Sequence, residues 1–382
     1  MKYFDHAATT PPYEEVIDTI TEVMKQHYGN PSSLHQYGLD SAKLLQMARK
    51  VCADAMHIAP EEVIFTSSAT ESNNLAIKGA AIEYRSRGRH IVTTMIEHPS
   101  VYECCRQLEQ LGYEITFIPV DERGKVSADR VLQAVRKDTV LVSVMQVNNE
   151  TGSIQPIEEI GRRLKKEHPK VIFHVDGVQG FGKLPLLTKE AGVDLYSISA
   201  HKFRGPKGAG LLVVRKGIRL FPLLAGGGQE AGLRSGTENL PNVVGMAKAV
   251  RLAAHGQQAR AKQWQALREL LIQGIGQQED LVLNSNMDGA PHIVNFSFPG
   301  MKAEVLLHSL EQSGMLVSTK SACSSKRSEP SRVLLAMGKD MDTASSGIRI
   351  SLGEEHTEKD IRELLAALSK AVSSLRGLKG GV

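Results

Sequence analysis

The chain has 382 residues, of which 41% are hydrophobic and 23% are charged, and its formal net charge is +4. This composition is typical of a globular enzyme, and the length predicts two domains. The small net charge gives no support to nucleic-acid binding, no apolar run is long enough to span a bilayer, and the amino terminus lacks a signal-peptide pattern. The four cysteines show no CxxC pair, which favours reduced thiols and a cytoplasmic protein.

Short apolar segments alternate with amphipathic ones over roughly residues 40–215, which predicts an α/β domain with a large, mainly parallel sheet. The seven predicted strands are 63–66, 90–95, 114–119, 140–147, 171–175, 195–199 and 210–214. The predicted helices between them are 71–85, 100–111, 128–135 and 157–167. Because ligands bind at the carboxyl ends of strands in such sheets, the polar side chains that follow these strands are the first candidates for a site.

From about residue 240 the pattern becomes typical of a smaller α+β unit. The predicted helices are 243–252, 258–275, 303–313 and 357–375, and the predicted strands are 292–298 and 315–318. Thr357 is the expected N-cap of the last helix. We predict a large domain over residues 15–255 and a small domain formed by residues 1–14 together with residues 256–382.

The most informative segment is 194–210, where a buried strand ends at Ser199 and is followed by His201, Lys202 and a glycine-rich loop. A partly desolvated lysine amine has a lowered pKa and forms Schiff bases with carbonyl groups. The alternative is a surface lysine that opens a loop.

Asp176 follows another predicted buried strand, where an aspartate is disfavoured unless it is paired. A protonated pyridine nitrogen would be such a partner, whereas an N-cap or an ion pair is the structural alternative. Gln179 and Asn149 also follow strands and are suited to donate to a phenolic oxygen, although Asn149 equally fits a turn.

Two segments are suited to bind a phosphate. Residues 63–72 are typical of a strand, a small-residue turn and a helix start, where backbone N–H groups and the hydroxyls of Ser68 and Thr70 can bind an anion. A plain N-cap is the alternative. The glycine-rich segment 226–238 carries Thr237 and is either a connector or a second source of a phosphate ligand.

Four further side chains point to catalysis and substrate binding. His98 is suited to stack on an aromatic cofactor and to carry a proton, although a histidine before a proline is commonly structural. Arg349 lies in an apolar run and needs an anion, which a substrate carboxylate would supply, with Asn30 as a second partner. Cys323 lies in a Ser/Lys/Arg-rich segment, where nearby cations favour the thiolate.

Together these motifs resemble the cysteine desulfurases of the NifS/IscS type, which are class-V aminotransferase-like, fold-type I enzymes that use pyridoxal 5′-phosphate. The matching segments follow in order over nearly the whole chain and are 5–10, 29–33, 69–71, 97–98, 148–150, 174–176, 199–202, 234–237, 321–323 and 348–353. Two departures are Thr319-Lys320, where Ser-Gly is usual, and Ser68, where glycine is usual. The first adds bulk and charge beside Cys323, which bears on loop mobility and on the choice of acceptor.

The resemblance implies a role for each candidate residue. The implied catalytic residues are Cys323, Lys202 and His98, of which Lys202 also carries the cofactor covalently. The implied cofactor-binding residues are Ala69, Thr70, Asn149, Asp176, Gln179, Ser199, His201, Lys202 and, from the partner subunit of a homodimer, Thr237. Asn30 and Arg349 are implied to hold the carboxylate of L-cysteine.

The implied reaction converts L-cysteine to L-alanine, with the sulfur passing to Cys323 as a persulfide. The sulfur then passes to an acceptor protein of iron–sulfur cluster assembly or of tRNA or thiamine thiolation. No resident metal, direct nucleic-acid contact or membrane is expected, although Cys323 is a candidate transient iron–sulfur ligand with a scaffold. The alternatives are a selenocysteine lyase or another β-elimination enzyme that uses pyridoxal phosphate, and a non-catalytic sulfur-relay protein.

Overall fold

A computed structural model describes residues 1–187, 189–319 and 329–378. Its strands are β1 Lys2–Tyr3, β2 Val63–Thr66, β3 His90–Thr94, β4 Glu114–Ile118, β5 Thr139–Met145, β6 Ile172–Asp176, β7 Leu195–Ser199, β8 Gly210–Val214, β9 Val282–Leu283, β10 Ile293–Ser297, β11 Met315–Leu316 and β12 Gly347–Ser351. Its α-helices are α1 Glu14–Gln26, α2 Gln36–Met56, α3 Ala69–Glu83, α4 Pro99–Gln110, α5 Ala128–Gln133, α6 Ile157–Glu167, α7 Leu240–Ala254, α8 Gln257–Gly276, α9 Ala303–Gln312, α10 Arg332–Ala336, α11 Met341–Ser345 and α12 Glu358–Leu375. Each predicted strand and helix is present, most of them within two residues of the predicted bounds.

Seven strands form the large sheet, in the order β2-β8-β7-β6-β5-β3-β4. Strand β8 runs antiparallel to both of its neighbours, and the other strands are parallel to one another. This arrangement confirms the predicted α/β fold with a large, mainly parallel sheet. Because the parallel strands run the same way, their carboxyl ends, including Thr66, Asp176 and Ser199, meet at one edge of the sheet.

Helices cover both faces of the large sheet. In β6, Phe173 and Val175 pack in one apolar cluster, while Ile172 packs in a second cluster on the opposite face. Ile160 of α6 belongs to the first cluster and Leu75 of α3 to the second. A strand buried on both faces needs apolar residues at successive positions, which explains why the sheet strands are short apolar runs in the sequence.

Helices α1 and α2 precede the first predicted element, the strand at 63–66, and both pack against α7. Val16 of α1 and Leu45 of α2 join Val243 of α7 in one buried cluster. The close approach depends on Gly245, because a Cβ atom there would lie 2.5 Å from Cγ1 of Ile20. Tertiary packing thus holds these two helices in a cluster that also contains residues of β2, β7 and β8.

The C-terminal part of the chain builds a second apolar core. Strand β10 lies between β9 and β12 in an antiparallel sheet, and β1 pairs in parallel with β11. Phe4 from the N-terminal segment packs there with Trp264 and Phe296. Val333 of α10, in contrast, packs in a cluster of the large sheet. The domain boundary between residues 255 and 256 stays a prediction.

Helix α12 begins at the predicted position. The hydroxyl of Thr357 accepts the N–H of Asp360, and a carboxylate oxygen of Asp360 accepts the N–H of Thr357. This capping box satisfies two main-chain donors at the start of the helix. Within residues 1–187, 189–319 and 329–378, no helix is both long and apolar enough to cross a membrane.

Candidate active site

A cavity of about 160 Å³ lies at the carboxyl edge of the large sheet. It brings together most of the side chains that the sequence predicts as site residues. The predicted residues that line it are Ala69, Thr70, His98, Asn149, Asp176, Gln179, Ser199, His201, Lys202 and Arg349. Most of these residues follow strands of the large sheet, which end at one edge, whereas Arg349 comes from β12 of the second sheet.

Lys202 lies in a single helical turn that directly follows β7. Its Nζ atom donates hydrogen bonds to the main-chain carbonyls of Ala7 and Ala8, at 2.8 and 2.6 Å. Both alanines line the cavity, so the N-terminal segment forms one wall of the site and orients the amine. These hydrogen bonds to main-chain carbonyls give a structural role in the site to residues 5–10, one of the segments that carry the family resemblance.

Asp176 ends β6 and is almost completely buried, with 4% of its surface exposed. Its Oδ1 accepts the N–H of Val178 at 3.0 Å, and its Oδ2 accepts the side-chain amide of Asn73 at 2.8 Å. Burial raises the pKa of this carboxyl, while these two hydrogen bonds and the charge of Lys202 act in the opposite direction. A cationic partner in the cavity would therefore stabilise the charged form of Asp176.

His98 caps the N-terminus of α4 and lies beside the cavity. Its Nδ1 accepts the N–H of Ser100 at 3.1 Å, so the neutral ring carries its proton on Nε2. Burial lowers the pKa of His98 to about 4, and the positive charges of Lys202, Arg332 and Arg349 act in the same direction. The ring is therefore neutral at pH 7 and presents a donor rather than a cation.

The start of α3 is suited to bind a phosphate. Ala69 and Thr70 form its first turn, where helix N–H groups have no partner within the helix, and the helix is 15 residues long. Ser68 has an extended backbone, with φ of −174°, so this position does not require the usual glycine. Its hydroxyl accepts the N–H of Glu71 at 3.3 Å. Gly210 permits the close packing here, because a Cβ atom on it would lie 2.6 Å from the Ser68 main chain.

Ser199 and His201 also line the cavity. Burial lowers the pKa of His201 to about 3, and the charge of Lys202 acts in the same direction. Its Nδ1 lies 3.2 Å from the hydroxyl of Thr9. We therefore expect His201 to meet an anion as a neutral hydrogen-bond donor.

Arg349 in β12 is 1% exposed and has an anionic partner within the protein itself. One of its terminal nitrogens donates to Asp5 at 2.8 Å, and the other donates to the carbonyl of Asn149 at 2.8 Å. The sequence predicted a substrate carboxylate as this anion, whereas in the structure Asp5 supplies one. The Nε atom of Arg349 is buried without a hydrogen-bond partner, which keeps one donor available to a ligand.

Gln179 is held by two partners at the cavity wall. Its side-chain nitrogen donates to the carbonyl of Ala7 at 2.9 Å, and its side-chain oxygen lies 3.2 Å from Nε2 of His292. One amide hydrogen is committed to Ala7, and the second remains for a ligand.

Three predicted site residues lie elsewhere. Asn30 is exposed, and its side-chain oxygen accepts the N–H of Ser32 at 2.9 Å in a local turn. Thr237 is exposed on the glycine-rich segment, which contacts the start of α3 through Arg234, whose Nε donates to Glu71 at 2.8 Å. Cys323 lies outside the described residues, as do residues 320–328 in general.

Asn73 was not among the predicted site residues, although its side chain hydrogen-bonds both Asp176 and the hydroxyl of Ser100, the latter at 2.9 Å. Asn73 thereby links Asp176 at the end of β6 to the first turn of α4, which directly follows His98. Its spacing of three residues from Thr70 on one helix was the available signal, because residues at i and i+3 share a helix face.

The chain is similar over nearly its whole length to proteins of one known family. The family model described as "Aminotransferase class-V" matches residues 2–364. Cysteine desulfurase IscS of Dictyoglomus turgidum is 43% identical over 376 residues, which cover 98% of this chain and 95% of that protein. Among solved structures, a NifS-like protein has a TM-score of 0.92 and 38% identity, covering 98% of this chain and 99% of its own. A structure of SspA in complex with cysteine has a TM-score of 0.82 and 35% identity, covering 94% and 100%.

The chain therefore belongs to the class-V aminotransferase family and has the fold-type I architecture of enzymes that depend on pyridoxal phosphate. Within that family it belongs to the cysteine desulfurases of the NifS/IscS type.

The residues around the cavity fit this cofactor. Buried Asp176 matches a pyridinium nitrogen, the first turn of α3 with Ser199 and His201 matches a phosphate, and Lys202 matches an aldehyde. The same 160 Å³ cavity is lined both by this carboxylate and by N–H and hydroxyl donors, the two kinds of group that the ring nitrogen and the phosphate require.

Proposed function

We propose that this protein removes sulfur from L-cysteine, releases L-alanine and holds the sulfur as a persulfide on Cys323. The observation that carries this proposal is the meeting of Lys202, Asp176 and His98 around one cavity. The full-length relationship to proteins named cysteine desulfurases supports it. The similar structure of SspA in complex with cysteine supports L-cysteine as the substrate.

Bound pyridoxal phosphate supplies an electron sink for charge that develops at Cα of the substrate. Lys202 is the candidate proton acceptor at Cα, and neutral His98 is the candidate donor through Nε2. The Cys323 thiolate attacks the substrate sulfur, so that an S–S bond forms as the C–S bond breaks. The electron pair of that bond remains on Cβ, which takes one proton, and the proton held by Lys202 returns to Cα to give alanine.

A homodimer would complete the site. Tyr28, Leu34 and Tyr37 are 70%, 91% and 56% exposed on the segment that also carries Asn30. Large exposed apolar side chains that lie together mark protein interfaces. We propose that a second copy covers this segment and that Thr237 of the partner subunit reaches the phosphate.

The persulfide sulfur would pass to a protein acceptor of iron–sulfur cluster assembly or of tRNA or thiamine thiolation. Following labelled sulfur from Cys323 to purified candidate acceptors identifies which pathway receives it. The cytoplasmic location stays a prediction from the sequence.

The test of the proposed function is sulfide release from L-cysteine under reductant. Cys323→Ser should retain the visible absorbance of the cofactor but lose sulfide release. Cys52→Ala is the matched control, because Cys52 is fully buried and burial raises its pKa to about 12, which leaves the thiol inert. Full sulfide release by Cys323→Ser would favour the β-elimination alternative, and no release by the wild-type enzyme would contradict the proposal.

A further inference from the structure

Arg332 reaches from the start of α10 to the turn between β3 and α4. Its guanidinium donates to the main-chain carbonyls of Met95 and Glu97. It also lies over the ring of Tyr102, 4.0 Å from the centroid. A guanidinium is a planar fork of five donors, so it can hold two carbonyls at once, which an ammonium group does less well.

The side chain of Glu97 is not the partner of this cation. Glu97 is 1% exposed, and burial raises its pKa to about 8, so the carboxyl is largely protonated at pH 7. Its Oε1 accepts from the hydroxyl of Thr94 at 2.7 Å and from the N–H of Met145 at 2.9 Å. Arg332 therefore binds the main chain of this turn through hydrogen bonds and does not form an ion pair with the side chain of Glu97.

This main-chain contact bears directly on His98. The carbonyl of Glu97 and the N–H of His98 belong to the same planar peptide unit. Holding that carbonyl fixes the orientation of the peptide from which the His98 side chain departs. His98 in turn caps α4 and lines the cavity.

The residue before Arg332 contacts a second turn of the cavity. The hydroxyl of Ser331 donates to a carboxylate oxygen of Glu150 at 2.5 Å and accepts the N–H of Leu334 at 3.1 Å. Glu150 directly follows Asn149, which lines the cavity. The start of α10 thus contacts two turns that border the cavity. One contact is made to main-chain carbonyls and the other to a side-chain carboxylate.

We infer that Arg332 is a positioning residue for sulfur transfer, an inference that rests on the proposed function. It holds the start of α10, nine positions after Cys323 in the sequence, against the turn that carries His98. The start of α10 and the turn that carries His98 are thereby attached to one rigid unit. Without Arg332 these two elements are no longer held together, and we expect the fraction of productive encounters between Cys323 and the substrate to fall.

The charge of Arg332 also affects the pKa of His98. The groups that act on His98 are Lys202, Arg332 and Arg349, whose positive charges all lower the pKa of the imidazole, in addition to burial. Removing the guanidinium should therefore raise the pKa of His98, whereas a lysine at this position should keep it low.

The experiment compares Arg332→Gln and Arg332→Lys with Arg362→Gln, which removes an exposed arginine paired with Glu358 on α12. For Arg332→Gln we expect kcat of alanine formation per cofactor-loaded site to fall roughly 10- to 100-fold with KM nearly unchanged. The acid limb of kcat/KM should move to higher pH. Arg332→Lys should return the acid limb of kcat/KM to its wild-type pH but should recover only part of kcat. Arg362→Gln should match the wild type in both.

Hydrogen–deuterium exchange of the cofactor-free protein provides a measurement that does not depend on activity. Arg332→Gln should speed exchange in segments 95–101 and 329–336 together, whereas Ser331→Ala should speed it in 329–336 but not in 95–101. Wild-type kcat with an unmoved acid limb, or unchanged exchange in 95–101, would overturn the inference. A wild-type enzyme that forms no alanine would instead contradict the proposed function and leave the exchange result interpretable.

Discussion

The Nζ atom of Lys183 donates a hydrogen bond to the main-chain carbonyl of Lys202 across 2.8 Å. Lys183 is 6% exposed, and burial lowers the pKa of its amine to about 7, with the charge of Lys202 acting in the same direction. A second buried amine therefore supports the main chain of the residue that would bond the cofactor. Its depressed pKa means that folding disfavours the charged form of Lys183.

Lys183→Met should alter the pH dependence of stability. Between pH 7 and the ordinary lysine pKa of 10.5, the unfolded state binds more protons than the folded state, so the free energy of unfolding rises with pH. The variant lacks this dependence, and the wild type should gain roughly 4 kcal/mol on it across that window. Urea unfolding at several pH values measures the difference, with the exposed Lys370→Met as control. A difference that stays constant with pH would contradict the assignment.

Lys202→Ala should bind the cofactor only without a covalent bond, because the amine that lies against the carbonyls of Ala7 and Ala8 is gone. Borohydride reduction followed by peptide mapping measures this. The wild type and Lys183→Met should both give a modified peptide that contains Lys202, and Lys202→Ala should give none. A pyridoxyl-lysine in the Lys202→Ala map would place the covalent site elsewhere.

Asp176→Asn should lower kcat about 100-fold, because a carboxamide cannot neutralise a protonated ring nitrogen. Asp194→Asn is the matched control. Asp194 is also buried and lies at the opposite end of the neighbouring strand, where it pairs with Lys165 and accepts the N–H of Phe173. The control should lose stability while keeping kcat per loaded site. Equal losses of kcat in the two variants would contradict the proposal that Asp176 stabilises the protonated ring nitrogen.

The strand ends were the part of the site that sequence reasoning could predict. Asp176 and Lys202 each follow a short apolar run, and burial of both sheet faces produces such runs from local sequence alone. Their polar character directly after a strand is therefore a local signal. The parallel order of the strands then brings the two residues to one edge, as predicted.

The partners of those residues could not be predicted in the same way. Asp5 and Arg349 are 344 positions apart, and Asn73 and Asp176 are 103 apart, so no local pattern relates them. Their pairing depends on the docking of the N-terminal segment and of α3 against the sheet. Thr237 lies on an exposed segment of one chain, so its role depends on a second molecule.

Glu97→Gln should stabilise the protein increasingly as pH rises from 4.5 to 8. Burial raises the pKa of Glu97 to about 8, so over this range the folded state binds more protons than the unfolded state and the free energy of unfolding falls with pH. The glutamine keeps an oxygen for Thr94 and Met145 without this penalty, which amounts to roughly 4 kcal/mol above pH 8. Thermal unfolding at pH 5, 7 and 9 measures it, with the exposed Glu311→Gln as control. A variant equally stabilised at pH 5 and 9 would contradict the raised pKa.

The homodimer can be tested through the position of Thr237. Sedimentation should give twice the chain mass of 41.6 kDa, and Thr237→Ala should weaken cofactor affinity about 10-fold through loss of one hydrogen bond to a charged group. If Thr237 of the partner subunit acts at the phosphate, a mixed dimer of Lys202→Ala and Thr237→Ala chains contains one complete site. At limiting cofactor its activity should then approach half that of the wild type. Activity no higher than that of the Thr237→Ala parent would mean that Thr237 acts within its own chain, because the intact Lys202 would then always lie beside the substituted residue.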